Sequence, residues 1–118
     1  MVNGCIFCKI AREGSRKKIY ENDNFFSVSD ISPAVKGHSL VISKKHFETV
    51  LDLPSTLGQE LLDCIKQTTF KLMAEEKADG FNIANNSFRC AGQIVDHVHF
   101  HIFPRKKDDR MILDIRKK

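Results

Sequence analysis

The chain has no apolar run approaching the ~20 residues that a membrane-spanning helix requires, which argues against an integral helical membrane protein. Residues 1–9 lack the long apolar stretch of a secretory signal, so the expectation is a cytoplasmic protein. Internal repeats, low-complexity tracts and linkers are absent, which leaves one domain over residues 1–118, with a core of about 5–105 and a C-terminal tail of 106–118. A strong excess of one charge is also missing: 19 basic against 15 acidic residues give a net +4. The basic residues fall in short clusters (Arg16-Lys17-Lys18, Arg105-Lys106-Lys107, Arg116-Lys117-Lys118), read first as solvated surface and second as a draw for an anionic ligand. A nucleic-acid partner is therefore not expected. Four cysteines in a reducing compartment remain thiols, which leaves metal binding or inertness in place of disulfides.

The patterning of the rest predicts an α+β fold. Residues 4–13 read as a short helix or turn, 18–21 and 25–29 as strands around an Asn22-Asp23-Asn24 turn, and 38–43 as a central strand. One long helix is expected from near Ser55, capped by Asp52 or Ser55 and ending before Gly80. Its apolar positions are Leu57, Leu61, Leu62, Ile65, Phe70, Leu72 and Met73, and it would span ~35 Å. Residues 81–85 then return as a strand, and 87–92 form a loop. Hairpins segregated from a single helix point to an antiparallel sheet.

The chemistry is concentrated in Asp96-His97-Val98-His99-Phe100-His101-Ile102-Phe103, ahead of a stop at Pro104. Three of the five histidines sit here at two-residue spacing. On an extended strand they would line one face at ~6.5–7 Å intervals, with Val98, Phe100 and Ile102 turned to a core. A row of imidazoles suits proton transfer or nucleophilic attack near neutral pH. Metal binding by the row is the alternative. His99, in the middle, is the candidate nucleophile, and His101 can reach a phosphate oxygen or protonate a departing group. Gln93, in a turn loosened by Gly92, has an amide that could donate to a phosphoryl oxygen.

The order Cys5-Ile6-Phe7-Cys8-Lys9-Ile10, Asp30-Ile31-Ser32-Pro33, residues 37–42 with Lys44-Lys45-His46, then Gly92-Gln93-x-Val95 and the triad resembles the histidine triad (HIT) family, in its small branch of nucleotide-binding hydrolases. The resemblance covers about residues 5–105. It implies a five-stranded antiparallel sheet with one long helix and a short N-terminal helix, dimerising into a continuous ten-stranded sheet. It also implies cleavage of a purine nucleoside 5′-phosphoramidate, adenylylated or dinucleotide substrate to a nucleoside monophosphate through a nucleotidyl-histidine at His99. His101, Gln93 and His97 would complete the catalytic set. Asp30 would take the ribose hydroxyls and Asn86 the phosphate and nucleoside, while Ile6, Phe7, Val28 and Ile31 would wall the base. His38 would lie near the phosphates. Turn-building remains the other reading of Asp30 and Asn86, and a buried structural role the other reading of His38.

Cys5 and Cys8 have the C-x-x-C spacing that zinc prefers for two thiolates. The resemblance supplies His46 and His97 as the remaining ligands of a closed, structural Zn2+ site. Cys64 reads as a small core residue and Cys90 as a loop thiol. The chain departs from the family pattern at Ile94, where small relatives carry a serine, and at Ser29, where others carry a larger residue. Its tail from Met111 onward matches no family feature. Other activities considered are a nucleotidyltransferase and a purine-nucleotide-binding regulatory or interaction protein.

Overall fold

The computed structural model describes residues 4–14 and 16–110; the expectations for residues 111–118 lie outside the described residues. In chain order the elements are α1 (Ile6–Glu13), β1 (Tyr20–Glu21), β2 (Phe25–Ser29), β3 (Ser39–Ser43), α2 (Gly58–Glu76), β4 (Gly80–Ala84) and β5 (His99–Arg105), with short 3₁₀ turns at Val50–Asp52, Ser55–Leu57 and Arg89–Ala91. The strands form one antiparallel sheet in the order β1-β2-β3-β5-β4. This is the α+β architecture expected from the sequence.

Alternation explains why β2 and β3 are buried on both faces. Phe25, Val41, Phe100 and Ile102 point to one face and pack with Cys64 and Leu72 of α2. Phe26, Val28, Leu40 and Ile42 point to the other and pack with Phe7 and Ile10 of α1. Burying each such side chain contributes roughly 1.5–3 kcal/mol. Ser27 is one of the buried polar residues on the α2 face, and the Thr68 hydroxyl of α2 donates to its Oγ at 2.7 Å. α1 opens with Cys5 as cap, its sulfur accepting from the Cys8 N–H, and closes at Gly14 with φ 62°.

Three expectations are corrected. α2 starts at Gly58 with no side-chain cap and ends at Lys77 in the left-handed conformation, so it measures about 28 Å. Asp52 instead closes a capping box with Thr49 on the turn before it. The triad strand begins at His99, because the Val98 N–H bonds to Phe47 O (2.7 Å) and leaves the sheet ladder. Pro104 does not stop β5. It lies beyond Ile102, the last β5 residue paired to β3, where only β4 continues alongside.

Candidate active site and metal centre

His99 and His101 project from β5 onto the α1 face, with ring centroids 5.1 Å apart. His97, one step before the strand, is fully buried, and the Phe7 ring wedges edge-on against both His97 (5.8 Å) and His99 (5.0 Å). The three histidines are therefore neighbours, though only two stand on the strand.

Their hydrogen-bond partners fix the tautomers. His99 Nδ1 lies 2.7 Å from the His97 carbonyl, which can only accept, so Nδ1 carries the proton. Nε2 then presents a lone pair, has no partner among the described residues and reaches the surface. Burial lowers the pKa of His99 below the ordinary imidazole range, against the opposing pull of that carbonyl, so the neutral form is held. His38 Nδ1 accepts from the Ala34 N–H (3.0 Å), which puts its proton on Nε2, 2.9 Å from His101 Nδ1. His101 Nδ1 is thus an acceptor and its Nε2 carries a proton outward. Burial, with His99 and His38 beside it, pushes His101 down to about 4. Phe103 backs both rings, stacked on His101 (5.6 Å, 7° between planes) and 4.3 Å from His38. A lone-pair nitrogen next to an N–H donor is what nucleophilic displacement at a phosphoryl centre needs.

His38 is 5 % exposed and joins the triad through His101. Asp30 follows β2, with Oδ1 accepting from the Ser32 N–H (2.8 Å) and Oδ2 3.5 Å from His38 Nε2. Asp30, His38 and His101 are close enough to hold a metal. The proton that Ala34 forces onto His38 Nε2 occupies the position a metal would need, so that reading is set aside. Phe7 and Val28 are buried in the α1-side core, Ile6 is half exposed and Ile31 is exposed.

Gln93 sits elsewhere than expected. Its amide donates to Glu48 O (2.7 Å) and Val95 O (3.0 Å) and accepts from the Phe88 N–H (2.7 Å). With both hydrogens committed to backbone, it shapes the loop and presents no donor to the triad. That clamp holds Phe88 at φ 72°, rare for a residue with a side chain. Asn86 lies against Gly92, where an added Cβ would come within 3.3 Å of its amide. Two further residues support the triad through backbone contacts. Asn85 Nδ2 donates to His99 O (2.9 Å), tethering the end of β4 to the triad strand, and its place beside Asn86 is the sequence signal that points to it. Ser43 O accepts from His97 Nε2 (2.7 Å), a backbone role that leaves no sequence signal.

That bond leaves His97 Nδ1 as a lone pair aimed at the cysteines. Donor atoms of Cys5, Cys8, His46 and His97 all lie within 4.8 Å of one another. Cys5 Sγ to His97 Nδ1 is 3.3 Å, Cys8 Sγ to His46 Nδ1 3.3 Å and Cys8 Sγ to His97 Nδ1 3.6 Å. Tetrahedral ligation with the usual metal–sulfur and metal–nitrogen lengths requires sulfur–nitrogen edges of about 3.5 Å. The group could hold a metal ion, and burial keeps His97 neutral for it, down at about 4. A cavity of about 480 Å³ opens beside this cluster, between Cys5, Ile6, His46 and the Arg89–Asp96 ion pair, rather than over His99. Cys64 is buried, its thiol pushed up to about 12 by burial, and Cys90 is exposed.

A five-stranded sheet carrying three clustered imidazoles on its α1 face defines a histidine-triad protein. Residues 11–108 match the HIT domain model, and the chain belongs to the HIT family. It is 44 % identical over 108 residues to the uncharacterized HIT-like protein MJ0866 of Methanocaldococcus jannaschii, covering 89 % of this chain and 81 % of that one. It is 36 % identical over 109 residues to the adenosine 5′-monophosphoramidase HNT1 of Candida albicans, covering 88 % and 72 %. Among solved structures, SMU.412c from Streptococcus mutans superposes with a TM-score of 0.89 at 38 % identity, over 97 % of this chain and 73 % of that one. No helix among the described residues is long and apolar enough to cross a membrane.

Proposed function

We propose that the protein is a nucleotide hydrolase that releases a nucleoside monophosphate from a purine nucleoside 5′-phosphoramidate or a related adenylylated or dinucleotide substrate. The observation that carries this reading is the His99 tautomer: Nδ1–H on the His97 carbonyl, Nε2 free and unprotonated beside the outward N–H of His101. The phosphoramidase name of the Candida relative supports the reaction class.

In the first half-reaction His99 Nε2 forms a bond to the α-phosphorus as the phosphorus–nitrogen bond breaks. The His101 Nε2–H hydrogen-bonds to the departing amine nitrogen, which leaves with a proton taken up from solvent, so His101 stays neutral. The His97 carbonyl stabilises the positive charge that develops on the His99 ring, and the His38 N–H on Nδ1 holds His101 in this donor tautomer. In the second half-reaction water attacks the nucleotidyl-histidine, its proton passes to solvent and neutral His99 departs, so the site is regenerated. Splitting one displacement into two is the general gain of covalent catalysis. Asp30 takes the ribose hydroxyls and Asn86 the phosphate. Ile6, Ile31 and the Phe7–Val28 core edge wall the base. Gln93 and Asn85 hold the loop and strand that carry these groups.

Cys5, Cys8, His46 and His97 would hold Zn2+, a closed structural site that supplies no open position for substrate. It ties α1, the segment after β3 and the entry to β5 together. Thiols kept for a metal fit a cytoplasmic protein. Leu62 and Phe70 of α2, with Phe81 and Ile83 of the edge strand β4, form an exposed apolar face that fits a homodimer interface.

Brief exposure to an adenosine phosphoramidate followed by intact-mass analysis tests the mechanism. One nucleoside monophosphate adduct mapped to His99, absent in His99→Ala, is the expected result. Near-wild-type turnover by His99→Ala would refute it.

A further inference from the structure

Ser29 ends β2 with its carbonyl turned toward the β1 side. The Ile19 N–H bonds to Ser27 O (2.8 Å), so a longer β1 would next offer the N–H of residue 17 to Ser29 O. β1 covers only Tyr20–Glu21, and the Arg16 guanidinium takes that place, donating from Nη2 to Ser29 O. The anchor spends one of the guanidinium's five N–H donors. Arg16 is half-buried and forms no ion pair among the described residues.

This anchored cation stands at the end of a row. His101 on β5, His38 before β3 and Asp30 after β2 follow one another at 2.9 Å and 3.5 Å, and Ser29 with Arg16 comes next. Strands lie ~4.8 Å apart, so the row from β5 to the outer edge of β2 runs on the order of 10–14 Å. With phosphorus at His99 and ribose at Asp30, the nucleobase is the part of a nucleotide directed to that outer edge. Ile31, 83 % exposed, offers an apolar surface there, and Arg16 offers a fork of donors.

We propose that Arg16 reads the base and selects a 6-oxopurine over adenine. This rests on the nucleotide-hydrolase reading and adds the base preference to it. Guanine and hypoxanthine present two acceptors, O6 and N7, spaced for a guanidinium fork. Adenine presents N7 beside an amino donor, which meets an N–H with an N–H. Apolar walls alone do not distinguish these edges; the anchored fork does.

Calorimetric titration of GMP, IMP and AMP into the wild type, Arg16→Ala and Arg16→Gln tests this. GMP and IMP should bind the wild type about tenfold more tightly than AMP. In Arg16→Ala that ratio should fall toward one through loss on the 6-oxopurine side, with AMP binding nearly unchanged. Arg16→Gln keeps a donor for Ser29 O, so it controls for the strand edge, and it should lose the preference too. Equal weakening of all three nucleotides would make Arg16 a strand-edge support and overturn the proposal. So would a wild type without preference, or IMP behaving like AMP, since the discrimination would then rest elsewhere. If wild type forms the His99 adduct but shows no base preference, only this inference fails. If no nucleotide binds, both readings fail.

Discussion

The Nε2 proton of His38 points at Nδ1 of His101 across 2.9 Å, and the Ala34 N–H on the far side of the His38 ring forbids the opposite arrangement. One backbone amide thus dictates which nitrogen of His101 faces substrate. Removing His38 by His38→Ala frees His101 to take either tautomer. We expect kcat to fall about 10- to 100-fold, up to the lower end of what positioned proton transfer contributes because His38 acts through His101, while KM changes little. His38→Gln, whose amide can donate to Nδ1, should recover part of the loss. Steady-state kinetics on the three proteins decides it; an unchanged kcat in His38→Ala would remove His38 from the relay.

The buried imidazoles also set two pH dependences, one of activity and one of stability. His99 must be neutral to attack, and burial depresses its pKa, so kcat/KM should stay level below pH 6.5 and decline only further into acid. Stability falls in the same direction, but from a higher pH. In the unfolded chain His101 titrates near 6.5, whereas in the fold it is held down to about 4, with His38 also lowered by burial. Between those values the unfolded state binds more protons, so stability is full above about pH 6.5 and is lost as pH falls toward 4. For the partly exposed His101 ring the loss at pH 5 is on the order of 1 kcal/mol. Denaturant melts at pH 7 and pH 5 measure it, with His101→Gln expected to reduce the difference and the other buried imidazoles to supply the remainder. A protein equally stable at both would contradict the assignment.

Metal content provides a third test. Native mass spectrometry should find one Zn2+ per chain, lost in Cys8→Ser and retained in Cys64→Ser, because Cys64 lies in the α2 core away from the cluster. Chelation should lower Tm and make two further thiols reactive, since a bound ion would join three otherwise separate segments. A wild type that binds no zinc after reconstitution, with the fold intact, would reduce the cluster to a thiol–imidazole contact.

How much of this was readable beforehand follows from where each signal resides. The strands at Phe25–Ser29 and Ser39–Ser43 and the core side of β5 were legible because alternation is a local pattern. The triad and the C-x-x-C were legible because their spacing is unusual in itself. The orientation of His97 was not: its ring turns on the Ser43 carbonyl and the Phe47–Val98 bond, contacts between segments about fifty residues apart. Gln93 misled for a related reason. A side-chain amide next to a catalytic strand invites a ligand role, yet three backbone groups claim it, and no sequence pattern announces backbone partners. The apolar spacing of α2 runs through Leu62 and Phe70, yet both face outward, because spacing alone does not say which apolar positions meet the sheet.

Those two residues lead to the last prediction. Phe81 pairs with Pro104 and Ile83 with Ile102, so both β4 side chains point to the α2 face of the sheet. They remain 47 % and 45 % exposed there, and Leu62 and Phe70 of α2 are 57 % and 65 % exposed. Among the described residues β4 is an edge strand with one neighbour, β5. Four exposed large apolar side chains on α2 and an edge strand are costly on an isolated molecule and invite a second copy across a twofold axis. Light scattering of the wild type at micromolar concentration should give twice the chain mass. Phe70→Glu and Phe81→Glu should each shift it toward the monomer by about 30-fold or more in dissociation constant, the effect of losing a buried aromatic anchor. Leu51→Glu, a change at an exposed leucine on the turn before α2, should leave the mass unchanged. A wild type that is monomeric at tens of micromolar would rule the dimer out.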